Sequence, residues 1–582
     1  MGIFSRVRQR HPSTLVVQSE IALEEIPPPR KRGRPLRACG RPKPVAVKHP
    51  NFLNLRKADF PQISPATWNV LVSLIRTLFL SLLRVVGRLQ PEAPGAELER
   101  TLFREIPELF HEFIRELAQW WWSNPDRGNL GTRLTCPCCH AGKLEYKGDV
   151  ARKIVTLFGT ISPTRAYYYC PDCKKGLAPL DERLGLDQDS FLPGVREVVT
   201  WLTSMDPYGK CLEFVAKLLQ FSVSPRSAWL ITQRVADRVK SRCDGEVAKA
   251  FADPANPRLP EPEVSPPQIG VVMVDGTMGR IGKSDDEKEK IQTPTVTLST
   301  QADGPEETAE AKEKPGFREI KVGLAGHLVP AKKKPTNKKP RKKKDDTDRP
   351  TLGMRKYAVH LGLPLALFQM LLLQVCRLGL HKAQTLLVIA DGARWIWNGV
   401  KEHFTSLGVE LVEILDFWHA VEHLWELSRA LFAPEAAKAW VSARKDQLLQ
   451  GNLDEFFAAL KNALSQADSS TAIVLRAEKR VTVRELAQET LTYFRNNESR
   501  IRYHEYLAKG YLIGSGAMEG ANKHLIKERV HRSGMRWLPD GCMSVLRNRI
   551  LIKSDDWDDF WAEEANRRQT QYLHLKTTLQ AA

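Results

Sequence analysis

Three apolar runs each end in an aspartate: Gly270-Val-Val-Met-Val-Asp275, Thr385-Leu-Leu-Val-Ile-Ala-Asp391 and Val409-Glu-Leu-Val-Glu-Ile-Leu-Asp416. Short runs rich in Val, Ile and Leu, bounded by turn residues, read as strands buried on both faces. One aspartate after such a strand is ordinarily a turn or cap residue. Three in one module, two of them as Asp-Gly, are hard to explain that way, because a mixed sheet presents its active site at its strand ends. Residues 318–325 and 356–360 read as two further strands, and residues 363–378 as a helix.

The resulting order, β-β-β-α-β-α-β-α, is that of a ribonuclease H-like core, expected over residues 268–419. Two charged loops, 279–315 and 330–350, interrupt its first strands and are expected to loop out at hairpins. Apolar residues then recur at helical spacing, which predicts an all-helical insertion over 420–510 and a return to the core over 511–582. A chain of 582 residues holds several domains, and the rest lie upstream of a Pro-rich boundary at 253–267.

Charge points to the partner. The 87 Lys and Arg exceed the 68 Asp and Glu, and two tracts hold most of the excess: eight basic and no acidic residues in 30–48, nine basic and none acidic in 331–344. Charge so concentrated fits a polyanion better than a solvated surface. Residues 1–57 lack periodicity and read as a disordered basic arm. Within it, Lys31-Arg32-Gly33-Arg34-Pro35 fits an AT-hook, with Arg32 and Arg34 reaching along a narrow minor groove, or a basic tail on phosphates. Both readings place nucleic acid nearby. The apolar stretch 70–87 is interrupted by Arg76 and Arg84 and falls short of the uncharged run of about 18 residues that a spanning helix needs. No membrane is expected, and the protein is expected in the cytoplasm, associated with the nucleoid.

Residues 58–128 carry helical periodicity, with Leu71, Leu74, Leu78 and Leu82, then Leu102, Ile106, Phe110, Phe113 and Leu117. Trp120, Trp121 and Trp122 end it as packing residues, since three adjacent side chains cannot share one helix face. Residues 129–187 contain Cys136-Pro-Cys138-Cys139 and Cys170-Pro-Asp-Cys173. Two C-x-x-C knuckles separated by strand-like runs read as a zinc ribbon, with Cys136, Cys139, Cys170 and Cys173 on a structural Zn²⁺ and Cys138 as a possible substitute for Cys139. Four cysteine ligands leave no open position for catalysis. Over 188–252, Ser224 as N-cap and Pro225 at the first position mark a helix start. The helix carries Arg226 and Arg234, which suits either a DNA-reading helix-turn-helix or an ordinary helical hairpin.

The motifs together resemble those of the ISKra-type insertion-sequence transposases. They are Val274-Asp-Gly-Thr277, Phe317-Arg-Glu-Ile-Lys-Val-Gly323, Ile389-Ala-Asp-Gly-Ala-Arg-Trp-Ile-Trp397, Leu415-Asp-Phe-Trp-His-Ala-Val-Glu-His-Leu-Trp425, Ile513-Gly-Ser-Gly-Ala-Met-Glu519 and Ser533-Gly-Met-Arg-Trp537. The resemblance covers about three-quarters of the chain, from the zinc-ribbon segment to Trp557-Asp-Asp-Phe-Trp561. It implies a DDE transposase whose catalytic triad is Asp275, Asp391 and Glu519. Asp416 and His419 resemble the D-x-x-H motif of related transposases and take a supporting role; His423 is expected to pack. The implied chemistry is two-metal-ion phosphodiester hydrolysis at element ends, then 3′-hydroxyl strand transfer, with Mg²⁺ replaceable by Mn²⁺. Double-stranded DNA and a homo-oligomer holding two ends are the implied partners.

Lys523 and Lys527 follow Glu519 at i+4 and i+8, so helix geometry places phosphate-binding cations beside the carboxylate, extended by His531, Arg532 and Arg536. Trp395 and Trp397 suit either an unpaired base or the core. The whole is a multidomain α+β chain: a zinc ribbon and helical DNA-binding region, then a ribonuclease H-like α/β catalytic core with an all-helical insertion. The alternatives are a ribonuclease H-like DNA nuclease without strand transfer and a catalytically retired DNA-binding regulator.

Overall fold

The computed structural model describes residues 56–580 except 90–93, 124–127, 133, 141, 187–188, 220, 255, 284–315, 331–349, 469–471, 475–479 and 533. The basic arm with Arg32 and Arg34, most of both charged loops, and Ser533 lie outside the described residues. The chain divides into two compact units, Met1–Asn69 and Val70–Ala582. In the first, Phe60 stacks on Trp68 with ring centroids 5.6 Å apart, and the Ser64 hydroxyl caps helix α1 by accepting from the Thr67 N–H at 3.1 Å.

Helices α1 (Pro65–Arg88) and α2 (Gly95–Ser123) come first. Contrary to the expectation above, α1 is long and apolar enough to cross a membrane by length and composition alone: an 18-residue stretch within it has a mean hydropathy of 2.0. Of the three tryptophans ending α2, Trp122 packs against the Ile154 and Ile161 cluster, while Trp121 is exposed.

The cysteine region is a small β module. Strands β1 (Leu134–Thr135), β2 (Lys143–Ala151), β5 (Thr164–Cys170) and β6 (Lys175–Leu177) form one antiparallel sheet in that order, and β3 (Ile154–Thr156) pairs with β4 (Gly159–Ile161). Helices α3 (Pro179–Arg183), α4 (Pro193–Met205), α5 (Tyr208–Leu218) and α6 (Pro225–Ala250) follow. The Ser224 hydroxyl accepts from the Ser227 N–H at 3.1 Å, so α6 starts where its cap residue says it should.

The central sheet has the order β11-β10-β7-β8-β9. Strands β7 (Ile269–Gly279), β8 (Arg318–Val329) and β9 (Thr351–Leu361) are antiparallel neighbours, so both charged loops join hairpin partners. On its other edge β7 runs parallel to β10 (Thr385–Ala390), which runs parallel to β11 (Glu410–Leu415). Strand alternation sorts the side chains. Val272 and Val274 face helices α7 (Pro364–Arg377) and α8 (Arg394–Phe404), whereas Val271 and Met273 face a second core built from the later helices.

Those later helices are α9 (Phe417–Leu431), α10 (Pro434–Gln450), α11 (Leu453–Gln466), α12 (Val483–Asn496) and α13 (Tyr503–Ala508). The insertion is not all-helical: β12 (Ala472–Val474) and β13 (Arg480–Thr482) form an antiparallel hairpin inside it, where β-branched residues replace helix formers. Next come α14 (Gly516–Ala521), a π-helical segment Asn522–Lys527, α15 (Glu528–Val530), α16 (Pro539–Lys553) and α17 (Trp557–Gln580).

Helix α16 packs between α4 and α6 and ties the helical region to the sheet. Two fully buried arginines secure this junction. Arg529 donates to the Thr203 carbonyl at 3.1 Å, and Arg549 to the Ser204 carbonyl at 2.7 Å and the Leu525 carbonyl at 2.8 Å. They occupy the carbonyls that the end of α4 leaves unpaired, where a cation is favoured.

Candidate active site

Register brings the two strand-end aspartates together. Val274 pairs with Ala390 across the β7/β10 ladder and Ala390 with Leu415 across β10/β11, so Asp275, Asp391 and Asp416 follow at one level of three neighbouring parallel strands. Adjacent strands lie about 4.8 Å apart. Asp275 and Asp391 also share a face, since each stands two residues beyond a residue of the second core, Met273 and Ile389. Asp275 is not the terminal residue of its strand, because β7 runs on to Gly279 along β8 alone; it marks the end of the parallel pairing.

Burial is the first reason that the Asp275 carboxyl is pushed up to about 6, and the charge of Asp391 the second. The Gly276 N–H at 2.7 Å, the Asn522 amide at 2.5 Å and the nearby His419 favour the ionised form and oppose the shift. The Asp391 Oδ1 accepts from the Ala393 N–H at 3.0 Å. Between them Gly392 turns with φ +94°, and a Cβ there would lie 2.9 Å from the Tyr493 ring. The Tyr493 hydroxyl donates to the Asp391 carbonyl at 2.9 Å, so the insertion clamps the loop that carries this aspartate.

Glu519 approaches from the other side. A cleft of about 820 Å³ is lined by Asp275, Thr277 and Met278 from β7 and by Glu519, Asn522, Lys523, Lys527 and His531 from the helix after it. Lys523 and Lys527 are exposed there. Their helix is not a regular α-helix, as the i+4 and i+8 spacing presumed, but passes into the π-helical segment at Asn522. Among the described residues only the four cysteines bring three or more metal-ligating atoms within 4.8 Å of one another; Asp275, Asp391 and Glu519 do not.

Asp416 is buried, caps α9 by accepting from the Trp418 N–H at 2.8 Å, and accepts from both the hydroxyl and the N–H of Ser515. Ser515 is the residue before α14, so Asp416 holds the segment that presents Glu519. Replacing Ser515 by alanine removes a donor from a buried carboxylate, a loss of about 1.5–3 kcal/mol. The expected result is a melting temperature lower by a few degrees, measured by calorimetry. An unchanged transition would show that the contact bears no weight.

The remaining residues divide. His419 faces Asp275, and His423 packs on Tyr493 at 4.1 Å, where burial lowers it to about 4. Trp397 is only 7% exposed, with the Arg500 guanidinium 4.2 Å over its ring, so it belongs to the core and not to a base. Trp395 is half-buried against Phe368 and under the Lys321 ammonium. Arg226 and Arg536 are exposed. Arg234 pairs with Asp189 at 2.7 Å and Arg532 with Asp206, each keeping part of its side chain exposed. Because α6 is packed on α4 and α16, and Arg238 and Arg242 pair with Glu564 and Glu563, the helical-hairpin reading of α6 is the one the packing favours.

The four cysteine sulfurs converge. Sγ separations are 3.6 Å for Cys136–Cys173 and 3.7 Å for Cys139–Cys170, close to the roughly 3.8 Å edge of a tetrahedron with Zn–S bonds of about 2.3 Å. Both knuckles place a left-handed residue after the second cysteine, His140 at φ 56° and Lys174 at φ 57°. Cys138 is exposed and accepts from Lys175 at 3.1 Å, so it is no substitute ligand. This cluster can hold a zinc ion. No protein-family model matches the chain, and no curated protein is significantly similar to it.

Proposed function

We propose that the protein is a DNA transposase of the DDE type, with Asp275, Asp391 and Glu519 as its catalytic carboxylates on a ribonuclease H-like core. The observation that carries the reading is the register that brings Asp275 and Asp391 to one level of adjacent parallel strands, with Asp275 and Glu519 lining one cleft. The sheet order, three antiparallel strands followed by two parallel ones, supports the core assignment.

Hard carboxylate oxygens, one of them raised by an adjacent carboxylate, suit a divalent cation, Mg²⁺ above all. Asp275, Asp391 and Glu519 would hold such ions, with Asp275 contributing to both of a pair. Ions so held would activate the attacking oxygen and stabilise the leaving oxygen. Lys523 and Lys527, exposed on the helix, and Arg536, exposed in the loop that follows it, bind the phosphate backbone, and His419 supports Asp275. Asp416 and Tyr493 fix the loops that carry Glu519 and Asp391. Two such chains would hold two element ends.

The test is incubation with Mg²⁺, a labelled duplex carrying the element end that flanks the gene, and a target plasmid. Wild type is expected to nick the end and join it to the plasmid, and Glu519→Gln to do neither. Nicking without joining would make the protein a nuclease, and binding without either product a DNA-binding regulator.

A further inference from the structure

We propose that Asn522 is a positioning residue for Asp275, an inference that deepens the transposase reading and rests on it. Asn522 is 4% exposed, and its Nδ2 donates to Asp275 Oδ2 at 2.5 Å while the Gly276 N–H donates to Oδ1 at 2.7 Å. One donor on each oxygen fixes the plane of the carboxylate. One lone-pair direction on each oxygen stays open, which a carboxylate shared between two cations requires. A neutral amide gives this restraint without cancelling the charge that attracts cations, as a lysine at the same place would.

The backbone is shaped for this contact. On a regular helix the residues three, four and eight positions after Glu519 share its stripe. Here the helix passes into a π-helical segment at Asn522, a feature often found at functional sites. Asn522 is thereby buried against Asp275 while Lys523 and Lys527 stay exposed in the cleft. Among the described residues no group donates to the buried Asn522 Oδ1, so the side chain is held in the cleft by its single hydrogen bond to Asp275. Unpaired buried polar atoms are rare and destabilising, and their retention is characteristic of functional sites.

The experiment compares full-length wild type with Asn522→Leu, which keeps the shape and removes both polar atoms, and with Asn522→Ala. Manganese uptake without DNA is followed by electron paramagnetic resonance, beside nicking rate, affinity for the end duplex and melting temperature. Asn522→Leu removes a donor from Asp275 together with the buried Oδ1, so it is expected to melt within a few degrees of wild type and to bind the duplex within about twofold. Its half-saturating Mn²⁺ rises and its nicking rate falls, each by about 10- to 100-fold, as when a partner of a metal ligand is lost. Asn522→Ala should show the same losses, and decides the matter if the leucine variant does not fold. Manganese uptake within twofold of wild type in a folded variant overturns the inference alone. Wild type with no uptake that depends on Asp275 overturns the transposase reading, and the inference with it.

Discussion

Replacing Cys170 by serine, or stripping the metal with a chelator, is expected to unfold the β module over residues 134–177 while leaving the central sheet folded. The sheet around the cysteines has little else to hold it, since the Ile154 and Ile161 cluster packs on the β3/β4 hairpin away from the sulfurs. Its buried cluster is Leu134, Leu144, Ala166, Tyr168 and two of the cysteines themselves, closed from outside by Leu579 of α17. A structural zinc site in so small a unit contributes about 10–16 kcal/mol of binding free energy at neutral pH, far more than those few side chains supply. Without a cation, four convergent sulfurs are a liability, since thiolates repel and buried thiols lose their hydration. The ribbon should therefore lose protection in hydrogen exchange, and bound zinc should fall from one per chain to none. The central sheet buries its own two cores and should keep its protection. Retained protection over 134–177 after chelation would show that the sulfurs are packing residues.

The sequence made some of this legible for identifiable reasons. The strands carrying Asp275 and Asp391 are apolar on both faces, so their composition alone distinguished them from helices, and the cap at Ser224 is a local signal that tertiary context did not override. Contacts made across the chain were not legible. Tyr493 reaches the Asp391 carbonyl and Ser515 the Asp416 carboxylate from about a hundred residues away, and neither belongs to a periodic pattern. Asn522 escaped because its value depends on the helix ceasing to be regular, which i, i+4 spacing cannot express. The pairing of Arg234 was hidden for a related reason: its charge was visible, but its partner Asp189 lies 45 residues away. Among the described residues, cationic side chains close to a carboxylate were claimed by it, and those on the cleft wall were not.

Asp275→Asn is expected to abolish nicking and yet stabilise the metal-free protein at neutral pH. If Asp275 serves two ions as proposed, its loss would remove several kcal/mol of transition-state stabilisation, about a thousandfold or more in rate. Stability should move the other way. The folded state raises Asp275 from 3.8 to about 6, so between those values the fold holds a proton that the unfolded chain has released. Stability from this group is thus fully present below about pH 4 and is lost as pH rises through about 6, a difference on the order of 3 kcal/mol. Asparagine has no proton to lose, so the variant's melting temperature should exceed that of wild type at pH 7 and converge with it towards pH 4. Saturating Mg²⁺ should stabilise wild type and leave the variant unmoved, because an ion that binds only the folded state adds stability in proportion to its occupancy. Parallel melting curves for the two proteins across that pH window would show that burial and the Asp391 charge do not raise Asp275. Nicking retained by the variant would take Asp275 out of the reaction altogether.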